Sequence, residues 1–451
     1  MCLGFSLYFG TPLPPQREFR YLAPINPMQT IDLLVRGAAE LATPLGLEAR
    51  GGARMGELEV LPGGCVAADG GKILAVGSEA ELTRRFHARS VLDAQGGTIV
   101  PGFVDAHTHP IFAGTREQEF ELRTQGRSYV EIALAGGGIL SSVRGVRESS
   151  DEELLARLLV RLERFLELGT TTVEAKTGYG LSVKDELRCL RILRQAAGLQ
   201  PVEIVPTFLG AHEYPAEYRE RKADYVELLV QEMLPEVARQ GIAEYCDIFT
   251  ESHVFNLEDS RRILQRAREL GLRLRLHADQ LSLLGGAQLA AELGADSADH
   301  LEHIDRAGMD ALAAAGVVPV LCPLVPIYLR QEREAPGRAM VDAGLAPALS
   351  TDFNPGSCYL QSMPEVLSFA ALRYRMSAAE ALCGATLNAA ASLGRADRLG
   401  SLEAGKDADL IVLDQPNHRH LVYELGRNPV RAVVKRGRVV VRRAPAGFNG
   451  V

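Results

Sequence analysis

The sequence predicts an α/β chain in which a closed (β/α)8 barrel of TIM-like form carries a small β-sandwich domain built from both chain ends. Three observations point there. From about residue 98 to 394, short apolar runs with a polar or ionisable end alternate with helix-like stretches, and the pattern returns about eight times. Such alternation, joined by right-handed crossovers, builds a parallel sheet, and eight units suffice to close it. Residues 30–97 and 395–451 hold short β-like runs and turn signals instead, so one β domain is expected from the two ends. An open doubly wound sheet is the alternative, but no glycine-rich nucleotide loop lies between a strand and a helix.

Taken in order, residues 1–29 read as an extension outside the fold, with Met28 a candidate second start. The opening MCLGFSLYFGTPLPP lacks the basic start and small-residue cleavage site of a secretory signal. GGCVAADGGKILAVG gives two runs around Asp69, Gly70 and Gly71, a hairpin signal. The barrel runs are TIVPGFVDAHTH, TTTVEAKTGY, EIVPTFLGAH, YCDIFTESH, LRLRLHADQ, DSADHLEH, VVPVLCP and APALSTDFN. Between the first two, SDEELLARLLVRLERFLELG places Leu154, Leu158 and Leu162 at helical spacing, with Ser150 and Glu153 set for a capping box and Gly169 as the stop. At the far end GSLEAGKDADLIVLD and VRAVVKRGRVVVR are strand-like, with Gly437 at a turn.

Composition narrows the function classes. A formal net charge of −8 argues against a polyanionic partner, so a small substrate is expected rather than nucleic acid. The seven cysteines are scattered and never form C-x-x-C, which argues against a disulfide framework or thiolate zinc site and for a reduced, cytoplasmic protein. No apolar run approaches the ~20 residues of a membrane helix.

Barrel enzymes place their chemistry at the C-terminal ends of the strands. Of ten histidines, seven (His107, His109, His212, His253, His277, His300, His303) fall at or just after those ends. In PGFVDAHTHP, His107 and His109 are two residues apart and face the same way in an extended chain. With His277 from the fifth unit and Asp352 from the eighth they make a plausible metal site, suited to zinc or iron and to activation of water. The fourth unit ends in Thr250, Glu251 and Ser252 without a lysine, so no carbamylated bridging lysine is expected there, and one metal per chain is. Arg116, in the first loop, could grip a carboxylate bidentately or be a solvated loop arginine. Tyr179 and His212 could face a ligand or be structural, and Asn354 and Gly356 could meet a polar ring or simply form the N-P-G turn.

PGFVDAHTHPIFAGTRE, AGGGIL, KTGYGL, TFLGAH, LHAD, SADHL, STDFNPGS and GSLEAGKDADLIVLD, in this order and spacing, resemble the imidazolonepropionases, ring-opening hydrolases of histidine breakdown in the amidohydrolase superfamily. The likeness runs from about Ile31 to Val441. It implies an amidohydrolase-type barrel, one divalent or trivalent ion, zinc or iron, held by His107, His109, His277 and Asp352, and a cytoplasmic homodimer. It also implies substrate contacts at Arg116, Tyr179, His212, Asn354, Gly356 and Ser357, and a catalytic or polarising role for His300. Two departures stand out. Gln280 occupies a position where the family often carries Glu; it can hydrogen-bond a ring or orient water but cannot accept and return a proton. In LCPLVPIYL, residues 321–329, no substrate contact is assigned. The reaction implied is addition of water to the cyclic amide of 4-imidazolone-5-propanoate, giving N-formimidoyl-L-glutamate, with Asp352 taking the proton of the water. Deamination of a nucleobase-like ring and a non-catalytic binding barrel are the alternatives.

Overall fold

The computed structural model describes residues 28–127, 131–132 and 136–443. The expected extension lies outside the described residues up to position 27, and Gln29 already opens a strand. Eight strands, β1 (Phe103–Asp105), β2 (Thr170–Lys176), β3 (Glu203–Ala211), β4 (Tyr245–Thr250), β5 (Arg273–Ala278), β6 (Ser297–His300), β7 (Val318–Leu321) and β8 (Ala348–Leu349), form one parallel sheet in chain order. The ring is completed between β8 and β1 without a ladder. Thr108 and Phe353 form a single parallel bridge, His109 N–H donates to Phe353 O at 2.8 Å, and the buried Asp105 carboxylate accepts from Ser350 Oγ, Thr351 N and Thr351 Oγ1.

The helix expected after the first unit spans Asp151–Glu167, its capping box formed by Ser150 and Glu153. Leu154, Leu158 and Leu162 are fully buried on one face. Gly169, at φ +91°, ends it in a conformation an L side chain resists.

The run TIVPGFVD is divided. Thr98–Pro101 belongs to a six-stranded sheet with Arg438–Arg442, Val430–Lys435, Leu410–Leu413, Glu40–Thr43 and Glu59–Pro62, whereas Phe103–Asp105 is barrel strand β1. The chain changes sheet at Gly102, where an added Cβ would stand 2.5 Å from Thr171 Oγ1. A four-stranded sheet, with Gln29–Arg36 at its centre, packs Leu33, Val35 and Val66 with Leu41, Ile99, Leu410 and Val412 of the six-stranded sheet into one core. Both ends of the chain therefore contribute to that core. The hairpin of Gly64–Asp69 and Lys72–Ser78 turns at Gly70 and Gly71, both at positive φ.

Inside the barrel, one end is filled by Val104, Val205, Tyr245, Val318, Val320 and Ala348 with Ala389, Ala390 and Leu393. Towards the C-terminal ends of the strands this apolar layer gives way to ionisable side chains. Six cysteines lie among the described residues, all buried and unbridged. No described helix is long and apolar enough to cross a membrane.

Candidate functional site

The loops leaving the strands converge on one mouth. His107, fully buried, has Nδ1 2.6 Å from Asp299 Oδ2 on β6, and His277, on β5, has Nδ1 3.0 Å from Asp247 Oδ2 on β4. A carboxylate at Nδ1 fixes the ring and turns Nε2 inward. The inward atoms meet: His107 Nε2 and His109 Nε2 each lie 3.5 Å from Asp352 Oδ1, and His109 Nε2 lies 3.4 Å from His277 Nε2. Ligand atoms about 2.1 Å from a tetrahedral ion stand ~3.4 Å from one another, so these spacings fit the edges of such a polyhedron. His107 Nε2 and Asp352 Oδ1 are buried with no hydrogen-bond partner among the described residues. Two overlapping triads could each hold a divalent ion, His107 with His109 and His277, and His107 with His300 and Asp352.

The electrostatics agree. Burial drives His107 and His109 well below the usual imidazole range, helped by Lys176 at the first and His212 at the second. His277 is lowered by burial against the pull of Asp247. Neutral imidazole is the form that binds metal. Asp352 is pushed up to about 7 by burial, against His300. His300 itself stands above its ordinary range: burial would lower it, and Glu302, Asp352 and Asp299 together more than offset that.

A layer of charges supports these ligands, and sequence reasoning did not assign it a role. Lys176 Nζ, fully buried on β2, lies 2.9 Å from Glu174 Oε1, 2.7 Å from Asp247 Oδ2 and 3.7 Å from Asp299 Oδ2. Arg275 Nη2 on β5 lies 3.3 Å from Asp299 Oδ2. The carboxylates that hold His107 and His277 are thus themselves held. Asp279 accepts from the backbone N–H groups of Leu284, Gly285, Gly286 and Ala287, while Glu251 accepts from Leu281 N, Ser282 N and Ser282 Oγ. Together they pin the loop that carries Gln280. Asp279, His300, Leu301 and Asp352 all take positive φ, from +48° to +78°. Each such residue costs about 1–3 kcal/mol, and strain of this kind gathers at functional sites.

The mouth is walled by His109, Arg116, Tyr179, His212, His277, Gln280, His300, Asp352, Asn354 and Ser357. His107 lies below this wall and Gly356 behind it. The Arg116 guanidinium meets Glu119 through Nε at 2.9 Å and Nη2 at 2.7 Å; the i, i+3 spacing was the signal for this pair. An added Cβ on Gly356 would lie 2.2 Å from Arg116 Nη1, so the glycine makes room for the guanidinium. His212 donates from Nδ1 to Gly178 O at 3.0 Å, stacks on His109 with ring centres 5.1 Å apart, and is lowered to about 3, first by burial and then by His277. The Asn354 amide is committed to its own loop: Oδ1 accepts from Gly356 N and Ser357 N, and Nδ2 donates to Asp352 O and Ser357 Oγ. Ser357 Oγ in turn donates to Asp352 Oδ2 at 3.3 Å.

Two of the seven strand-end histidines stay out of the mouth. His253 is exposed on the loop after β4 and His303 is half-buried beyond β6. The apolar part of the wall, Ile139, Phe249, Leu281 and Leu329, was missed; Leu329 comes from the run 321–329, to which no contact was assigned. Apolar residues at strand ends look the same whether they face a ligand or the core.

A ring of parallel strands with a histidine and aspartate cluster at its mouth that could hold a metal ion has the form of a hydrolase barrel, and the known proteins it is similar to agree. Residues 98–440 match the amidohydrolase family. E. coli guanine deaminase has the same fold, with a TM-score of 0.70 at 18% identity over 91% of this chain and 100% of that one. The imidazolonepropionase of Symbiobacterium thermophilum is 49% identical over 92% of this chain and 98% of its own length, and that of Myxococcus xanthus is 47% identical over 93% and 100%. The chain belongs to the imidazolonepropionases within the amidohydrolase family.

Proposed function

We propose that this site opens the ring of 4-imidazolone-5-propanoate by adding water to its cyclic amide, giving N-formimidoyl-L-glutamate. One observation carries the assignment of roles: His109, whose Nε2 lies 3.4 Å from His277 Nε2 and 3.5 Å from Asp352 Oδ1, lines one cavity with both of them and with Arg116. His107, His109, His277 and Asp352 would hold one ion, zinc or iron. When bound, such an ion supplies the Lewis acidity that makes water a competent nucleophile near neutral pH.

The chain supplies the rest. Arg116, braced by Glu119, takes the propionate, and Tyr179 packs beside it, which fixes the carbonyl in a near-attack geometry. Asp352 accepts a proton from the attacking water and returns it to the ring nitrogen as the C–N bond breaks. Ser357 donates to the other Asp352 oxygen and so orients the carboxylate. His300 faces the carbonyl oxygen as negative charge grows there. His212 and Gln280 hydrogen-bond the ring; with an amide at position 280 the proton transfer falls to Asp352.

The test is loss of the ultraviolet absorbance of freshly made imidazolone propionate, with and without chelator. Chelator-sensitive loss without ammonia release is the expected result. Ammonia release would mean a deaminase, and no loss by metal-replete protein would overturn the reading. Sedimentation would check the expected homodimer.

A further inference from the structure

Among the described residues, Glu302 is a buried carboxylate without a hydrogen-bonding duty. Its side chain is 1% exposed, and neither oxygen has a hydrogen-bond partner. Buried carboxylates are costly unless paired, so one retained in this state calls for a function. Its ion-pair partner is His300, whose Nδ1 lies 3.7 Å from Oε1 and also lacks a hydrogen-bond partner. The two residues are separated only by Leu301, and both His300 and Leu301 take positive φ, +78° and +70°. That backbone is anchored where it bends: Leu301 N–H donates to Ala278 O at 3.1 Å and His303 N–H to Asp279 O at 2.8 Å. The strained turn is what brings the carboxylate against the ring. His300 also offers a ring nitrogen within 4.8 Å of donor atoms on His107 and Asp352.

We propose that Glu302 is the positioning residue of His300: its carboxylate accepts the Nδ1 proton, fixes tautomer and ring rotation, and leaves Nε2 facing Asp352 and the substrate carbonyl. A ring shift of about half an ångström closes the gap to hydrogen-bond length, and contacts of this kind tighten when substrate binds. The role rests on the ring-opening reading above.

The experiment compares Glu302→Leu and Glu302→Gln with the wild-type enzyme for kcat, KM, melting temperature and metal content, together with the ring-nitrogen spectrum of ¹⁵N-histidine-labelled protein. In Glu302→Leu, kcat falls by about 10–100-fold, as on loss of the outer partner of a working histidine, with KM within about threefold. Metal content is unchanged, and melting temperature is equal or higher because a poorly compensated buried charge is gone. The Gln variant, whose amide oxygen can still accept from Nδ1, keeps at least about tenfold more kcat than the Leu variant. The Nδ1-protonated signal assigned to His300 by its loss in His300→Asn disappears in Glu302→Leu. Unchanged kcat with a lowered melting temperature would show a structural role and overturn the proposal, as would equal losses of kcat in the two variants. If Glu302→Leu does not fold, the Gln variant's spectrum and kcat against wild type decide. Wild-type protein inert toward imidazolone propionate would sink the ring-opening reading alone, since the spectrum reports the pairing without substrate.

Discussion

Asp299→Asn separates the support of the metal ligands from the stability of the barrel. Asp299 Oδ2 faces His107 Nδ1 at 2.6 Å, Arg275 Nη2 at 3.3 Å and Lys176 Nζ at 3.7 Å, and Oδ1 accepts from Ser297 Oγ. At an effective dielectric near 20 each of the two cation contacts is worth about 5 kcal/mol. The loss is offset, because the layer holds three carboxylates (Glu174, Asp247, Asp299) against two cations (Lys176, Arg275), and the amide leaves two against two. Folding stability of the metal-free protein should therefore change by less than about 1 kcal/mol. The effect on His107 is not offset, since an amide oxygen accepts from Nδ1 without carboxylate charge. Metal affinity should fall about 10–100-fold, or ~1.4–2.7 kcal/mol. Chelator competition at fixed pH measures the first quantity and denaturant melts of the metal-free protein the second. Lys176→Met is the contrast: it leaves three carboxylates facing one guanidinium and should cost about 3–5 kcal/mol of stability. Wild-type metal affinity in Asp299→Asn, with stability lost as in Lys176→Met, would refute the division of labour.

Arg116→Ala should raise KM at least about tenfold with little change in kcat, and Gly356→Ala should do the same without altering charge, because its Cβ meets the guanidinium; steady-state kinetics with normal KM in both would remove Arg116 from substrate binding. On the roles proposed for Asp352, Asp352→Asn should lower kcat by about a thousandfold or more, since one change would remove both a ligand and a proton acceptor, and single-turnover measurements on metal-loaded protein check it. Glu203, 12% exposed at the start of β3, binds Arg398 at both carboxylate oxygens and lies 3.3 Å from Arg436 and 3.8 Å from Lys435. Burial raises its pKa, but Arg398 and its neighbours more than offset this and hold it at about 2. A carboxyl depressed on folding stabilises above its unfolded value of about 4.5 and loses that contribution as pH falls toward 2, here about 3 kcal/mol at most. Melting curves from pH 5 down to pH 3 should fall more steeply for wild type than for Glu203→Gln, and parallel curves would refute the linkage.

The parts of the site that could be read from the sequence are those encoded locally. H-T-H after an apolar run, a histidine closing LRLRLH and an aspartate in STDFN each announce themselves, because strand ends in a barrel all open on one mouth. The supporting charges could not be read that way, although a trace existed. Glu174 and Lys176, Arg275 and His277, and Ser297 and Asp299 are pairs two residues apart inside buried strands, so each pair faces one side. An ionisable residue in such a place needs a partner, and no strand contains all of its own. Asp299 is set opposite His277 only by the register of β5 with β6, and Lys176 reaches Asp247 and Asp299 only because the ring brings β2 across from β4 and β6. The division of TIVPGFVD was hidden for the same reason, since Gly102 marks a change of sheet only once Thr171 lies against it. What the barrel adds to the sequence is therefore charge balance across strands: burial lowers His107 and His277, while carboxylates set by neighbouring strands and held by Lys176 and Arg275 lie at their Nδ1 atoms.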